Sequence, residues 1–422
     1  MKSVAITGVG VVTPLGSTPA EVLRRIEAGE AAARRPTGFD PAPFSCPVCA
    51  EIPDFRPDEH VPEPKAVRLM NRDTQLAVAA ARLAMRDAGV TAGATYPADQ
   101  IALYGATGMA GLPLAEVAPL VKYAASDGRF DARLFGAVTL KRVRPVLSFK
   151  ILSNMPISFV SIFEGLQGPN AVYNPWEGQG AHAIIAGVRA VARGKAACAL
   201  VGGCDVKTHE LAFVALQQHG VFRPWREAGR GGVPGEGAAF LVLEDEQRAR
   251  ARGATVYARV AAWRAATAPS GVSPAATYAG ILAPLTAPAP EVVVSADEYC
   301  VSYGGASQAG WHGHAPLRDH VPGTASGPSL PSGHATARDN ATPQRLTQYA
   351  DEAEAQALEE CGAAPATCIA PKRHIGNLFA AAAAAQVALG AALARRSAAG
   401  TRVLANTFGF GSEQAAFLLE AV

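Results

Sequence analysis

The stretch 173-YNPWEGQGAHAII-185 reads as a strand end, a tight turn and the opening of a helix, with Glu177 at the apex. Many folds of this kind set a nucleophile at such an apex, and here a glutamate stands there. Outward from it the chain keeps alternating. Strand-like runs such as "SVAITGVGVV", "IALYGATG" and "ACALVGGCDV" are interleaved with helix-like runs such as "TQLAVAAARLAMRDAG" and "AHAIIAGVRAVARGKA". The alternation predicts an α/β architecture with helices covering sheets. Two internal echoes occur in the same order. "WEGQGAHAIIAGVRAVARG" is answered by "HIGNLFAAAAAAQVALGAALARR", each a glycine turn running into a small-residue helix that ends in arginine. "GEGAAFLVLE" is answered by "SEQAAFLLEA", each a turn feeding an apolar strand. Two similar halves follow, 1–258 and 259–422, with the two Ala-rich helices side by side at the centre.

The 422 residues, 49% hydrophobic and 18% charged, suffice for one large core or two fused ones. With 38 basic and 36 acidic residues spread along the chain, neither nucleic acid nor a membrane surface is expected as a partner. The start "MKSVAITGVGVVTPLG" lacks the features of a signal peptide, which predicts a cytoplasmic protein. The apolar run from Leu378 to Ala394 carries Gln386 and falls short of the roughly 20 residues a membrane span needs. It reads as a buried helix.

Seven cysteines, an odd number, favour thiols over a disulfide framework. Cys46 and Cys49 have CxxC spacing, but no second such pair completes a zinc site, so a turn with two small apolar side chains is the plainer reading. The segment near 298–341 is rich in Gly, Pro, Ser and His and has neither helical nor strand period, as in a surface insertion. Its His312, His314 and His320, with only Asp319 as a nearby carboxylate, read as solvated loop residues rather than metal ligands. No metal and no cofactor is expected.

Eight signatures, in order, carry a resemblance over nearly the whole chain. They are "VAITGVGVVTPLG", "NRDTQLAVAAARLAMRDAG", "LQGPN", "ALVGGCDV", "FRPWREAGRGGVPGEGAAFLVLEDEQRARARGA", "TPQRLTQYADEAEAQAL", "PKRHIGN" and "NTFGFGSEQAAFLLE". The chain resembles the thiolase-fold β-ketoacyl synthases, specifically the elongating type of fatty-acid and type II polyketide systems. The resemblance implies a thiolase-like fold of two pseudo-duplicated α/β halves, layered α-β-α-β-α. In that family a cysteine at the elbow takes the acyl chain, and two histidines hold the malonyl thioester carbonyl. Residue by residue, the elbow position falls on Glu177. The first histidine position falls on Asp297, counting from "EVVVSADEY", or on Arg338, counting back from Thr342 and Pro343. The second falls on Asn377, with His374 three residues too early. Lys372, Gly376 and the loop "FGFG" with Phe408 match the family's framework.

With all three reacting groups replaced and the framework kept, the chain looks like a chain-length factor (ketosynthase β). Such a subunit pairs with an active ketosynthase, works on chains borne by an acyl carrier protein and helps form the acyl tunnel. The segment "GMAGLPLAEV" would then cross the dimer interface. There Met109, Leu112 and Leu114 either line the tunnel or only pack the interface, and Phe408 of the gating-type "FGFG" loop is placed at the tunnel or interface with them. Lys141, Arg142, Arg144 and Lys150 read either as a docking patch for an acidic carrier protein or as solvated charge. Two other functions remain open: a decarboxylase of the initiator type, and a stand-alone acyltransferase or hydrolase using Glu177 or the insertion's histidines. A carboxylate in an apolar pocket can serve as general acid or base. It is a poor acyl acceptor, because the anhydride formed is labile. The plainer reading makes Glu177 an acceptor for backbone N–H groups at a helix N-terminus, where an anion gains about 0.3–1 kcal/mol.

Overall fold

The computed structural model of the chain describes residues 2–109, 111–112, 114–143, 146–222, 232–268, 274–296, 346–363, 367–409 and 413–422. Asp297, Arg338 and the segment 298–341 lie outside them.

Among the described residues, ten strands form one mixed sheet. In chain order these are β1 (Val4–Val12), β2 (Ile101–Thr107), β5 (Asn170–Tyr173), β6 (Cys198–Val206), β7 (Glu236–Asp245), β8 (Ala258–Thr267), β9 (Val292–Val294), β10 (Thr367–Ile369), β11 (Arg402–Asn406) and β12 (Glu413–Glu420). A small separate hairpin pairs β3 (Ala125–Ser126) with β4 (Arg129–Phe130). Across the sheet the order is β10-β9-β11-β12-β8-β1-β7-β6-β2-β5.

That order is a duplication. From its first strand outward, β1-β7-β6-β2-β5, one leaf pairs antiparallel, antiparallel, parallel, parallel. The other, β8-β12-β11-β9-β10, repeats the same sequence of directions. The leaves meet where β1 pairs β8, and the register holds only Ala5 opposite Arg259 and Ile6 opposite Ala258. The chain thus folds as the two pseudo-repeated α/β halves that the echoes suggested.

The layering follows from which alternate side chains face which way. In β7, Leu241 and Leu243 face a central core, while Phe240 and Val242 pack the helix Arg72–Ala88 on the outer side. In β12, Phe417 and Leu419 face the same central core, and Ala416 and Leu418 pack the outer helices Pro274–Leu282 and Leu346–Glu360. Because both faces are covered, these strands read as unbroken apolar runs rather than alternating ones. The shared central layer consists of the helix Glu177–Ala192, called here the elbow helix, and the Ala-rich helix Ala382–Arg395. The result is five layers, α-β-α-β-α.

Alanine and glycine let the central helices and their approaches pack closely. A Cβ on Gly180 would sit 2.7 Å from the Ala380 carbonyl oxygen and 3.1 Å from Ala383 Cβ. The apolar run that begins at Leu378 is indeed buried, as a turn Phe379–Ala381 followed by the 14-residue helix. Among the described residues no helix is long and apolar enough to cross a membrane. Cys46 and Cys49 pack with Phe213, Phe222 and Phe379 in an aromatic cluster.

Gly180→Val should force these elements apart and cost about 1–3 kcal/mol in chemical denaturation, the usual penalty for overpacking. An unchanged unfolding midpoint would show that the contact carries no load.

Candidate functional site

The elbow is built by the end of β5. After Tyr173, Asn174 donates its amide to the carbonyls of Thr107 (2.9 Å) and Gly108 (2.8 Å), tying the turn to the end of β2. Trp176 is still extended, and Glu177 opens the elbow helix with 2% of its surface exposed. The helix-cap expectation left out the partner found here. Lys372, carried by the short helix Pro371–Ile375, places its ammonium 2.9 Å from Glu177 Oε1 and 3.0 Å from the Phe408 carbonyl oxygen. A side chain on Gly409 would collide with Glu177 Oε2. The Phe408 ring stacks face to face on Tyr278, with centroids 3.9 Å apart and planes 4° apart. The buried Glu177, Lys372 and Phe408 therefore form one cluster with the half-buried Gly409.

Asn377 uses its side chain elsewhere. Its Oδ1 accepts the Phe379 N–H at 2.8 Å, and its backbone pairs with Val233 (2.7 Å) and Gly235 (2.9 Å). The bond holds Phe379 in the left-handed region, φ 44°, just after Gly376 at φ 74°. The turn is held from below by Asp205, whose carboxylate accepts the Ala380 N–H (3.3 Å) and is ion-paired to the buried Lys207. His374 faces away, its Nδ1 against the Glu30 carbonyl at 2.6 Å.

The segment after β2 separates the three apolar candidates. Met109 is 62% exposed and Leu114 is exposed, whereas Leu112 is buried within its own chain. Gly108 lies against Asp205, and a Cβ on Gly111 would stand 2.7 Å from His209 Nε2. Of the basic residues, Lys150 pairs with Glu116 at 2.8 Å and Arg142 lies 4.3 Å over the Tyr123 ring. Lys141 is exposed, and Arg144 lies outside the described residues.

Beneath that segment sit two titratable groups of opposite behaviour. Burial, with the Asp205 charge adding to it, pushes the Asp73 carboxyl up to about 6. Burial, and then the Lys207 charge, pushes His209 down to about 4. Asp73 therefore adds stability that is full below its ordinary value of 3.8 and is lost as pH rises through about 6. His209 adds stability that is full above 6.5 and is lost as pH falls through about 4. Between about 4 and 6 the two oppose each other.

No motif in the sequence singled out Asn174, Asp205 or Tyr278, because each acts through a partner far away in the chain, nor Lys207, which neutralises Asp205 two residues before it. Among the described residues no three His, Cys, Asp or Glu side chains are grouped to hold a metal.

The family described as Beta-ketoacyl synthase, N-terminal domain, matches residues 1–249, and the chain belongs to the β-ketoacyl synthase family. Among curated relatives, 3-oxoacyl-(acyl-carrier-protein) synthase 2 of Staphylococcus aureus (strain COL) is 29% identical over 269 residues, 61% of each protein. The enzyme of the same name from Coxiella burnetii (strain RSA 493 / Nine Mile phase I) is 29% identical over 270 residues, 61% of this chain and 62% of that protein. The chain thus spans about three fifths of the length of these relatives. Among solved structures, the ishigamide ketosynthase/chain length factor superposes with a TM-score of 0.72 at 21% identity, covering 100% of this chain and 99% of that one. A β-ketoacyl synthase from Burkholderia phymatum STM815 gives 0.71 at 20% identity, with both chains covered in full. A type II polyketide synthase acyl-carrier protein in complex with its ketosynthase bound to the hexaketide gives 0.67 at 14%, again with full coverage of both. At these identities the likeness is one of fold.

Asp73→Asn removes one of the two opposing titrations and leaves His209 unopposed. The variant's melting temperature should fall more than the wild type's between pH 6.5 and pH 4. Identical pH profiles would show that Asp73 does not titrate in that range.

Proposed function

We propose that the chain is the non-catalytic, chain-length-factor-type subunit of a β-ketoacyl synthase heterodimer. The observation that carries this reading is the elbow itself. Condensation of the family's kind needs a thiolate to take the acyl group. Here the elbow side chain is a carboxylate bonded to Lys372 and pressed on Gly409. The second histidine position is Asn377, whose oxygen is bonded to Phe379 N–H. The Asp297 or Arg338 alternative for the first histidine remains part of the proposal, since neither residue is a histidine.

A partner is supported by the distribution of exposed apolar side chains. Of the 15 large hydrophobic residues exposed among the described residues, 12 fall between Met109 and Val172, including Phe130, Phe149, Ile151 and Ile162. β5 within that stretch is an edge strand of the sheet. Concentrated apolar exposure of this kind marks an association surface, and an obligate interface would bury on the order of 2,000 Å² or more. The partner of this reading is an active ketosynthase, the chain being built is carried by an acyl carrier protein, and the complex works in the cytoplasm. The division of the chain at 258/259 into two ketosynthase-like halves belongs to the same proposal.

In this reading Met109 and Leu114 reach across the interface towards the partner's acyl tunnel, while Leu112, packed inside its own chain, supports them.

Two outcomes are expected. Mass spectrometry of the purified heterodimer after incubation with an activated acyl donor should find no adduct in the 170–185 peptide, and an adduct on Glu177 would make that residue chemical. Met109→Trp, in a correctly assembled heterodimer, should shorten the product at a similar first-condensation rate, because a packed wall yields only at about 1–3 kcal/mol of strain. Unchanged product length would remove Met109 from the tunnel.

A further inference from the structure

The contacts around 407–409 converge from four parts of the chain. The Phe408 ring is fixed by the stack on Tyr278. Its carbonyl is fixed by Lys372. Gly409 exchanges two bonds with the Gln414 side chain, N–H to Oε1 at 2.9 Å and Nε2–H to its carbonyl at 3.1 Å. On its remaining side, Gly409 rests on the Glu177 carboxylate, with no room for a Cβ between them. Lys372 bonds both the elbow and this segment, and it does so with both acceptors buried.

We propose that Glu177 and Lys372 form an internal latch in which Lys372 is the positioning residue. The Glu177 carboxylate draws the Lys372 ammonium to the one place from which it also holds the Phe408 carbonyl, and so the 407–409 segment is kept closed against the elbow. This inference rests on the non-catalytic reading of the same site. It gives the retained lysine a task that needs no reaction: an ion pair takes the space where a reacting elbow needs room for a thioester.

The latch has a geometric signature that a merely stabilising ion pair lacks. Gly409→Ala inserts a methyl group against Glu177 Oε2 and should open the segment. Glu177→Ala opens it by freeing Lys372. In the double variant the removed carboxylate makes room for the added methyl, so the two effects should not add.

Hydrogen–deuterium exchange on the full chain, bound to its partner, reads this directly. Lys372→Met and Glu177→Ala should each raise exchange of the 407–409 amides at least tenfold, with the β6 amides of Cys198–Val206 unchanged. Glu177→Gln, which keeps an acceptor for Lys372 and bulk beside Gly409, should stay within about threefold of wild type. If a buried-charge variant fails to assemble, Gly409→Ala, which keeps both charges, decides the matter together with Glu177→Gln: the first should raise 407–409 exchange with the β6 amides unchanged, the second should not. Unchanged 407–409 exchange in the variants overturns the latch. So does an equal rise across the whole sheet, or strictly additive effects of Gly409→Ala and Glu177→Ala. An acyl adduct on Glu177 would overturn the non-catalytic reading instead, leaving the exchange result to stand by itself.

Discussion

The close approach of two small-residue helices through the middle of the molecule is the constraint on which the rest depends. The elbow helix and the Ala-rich helix share one layer, and each leaf of the sheet turns alternate strand residues towards it. Large side chains there would push the leaves apart. Gly180 against Ala380 and Ala383 is where that limit is tightest. The same approach brings the start of the elbow helix, in the first half, next to 372–381, in the second. The candidate site is therefore a product of the packing of the duplicated halves.

That dependence explains what the amino-acid sequence disclosed and what it withheld. The alternation of strand-like and helix-like runs and the two echoes are local patterns, and they were enough to read the duplication and an α/β fold with helices covering sheets, while the five-layer order came from the family resemblance. The elbow was legible for the same reason, since Tyr173 to Ile185 carries its own turn signal. The partner of Glu177 was not. It lies 195 positions further on, and nothing near Lys372 says which carboxylate it will meet. Asn377 shows the complementary difficulty. Its position in "KRHIGN" marked it as a substitution, but only the left-handed Phe379 beside it explains what an asparagine does there. Leu112 differs from Met109 and Leu114 in burial although the three look alike in a glycine- and proline-broken segment, because burial there is decided by packing across the fold.

At the elbow the task of each residue is set by the partner it meets. Lys372 balances a buried charge, and Phe408 is held by an aromatic stack and a carbonyl bond. Removing either partner of a buried pair leaves a charge without compensation, a far larger disturbance than losing an exposed one. Replacing both partners of such a pair together is a smaller disturbance than replacing one.

The seam between the leaves holds only two residue pairs, Ala5–Arg259 and Ile6–Ala258, which is little backbone bonding to keep two five-stranded leaves in place. Other bonds cross between the halves where side chains and turns meet: Glu177 with Lys372, Gln179 with Glu413, and Gly235 with Asn377. In the ion pair the first half contributes the anion and the second the cation, both of them buried. Each half by itself would have to keep an unmatched charge in contact with water. Contact between the halves is thus coupled to the burial of opposite charges, and either charge buried without the other would carry an uncompensated desolvation cost.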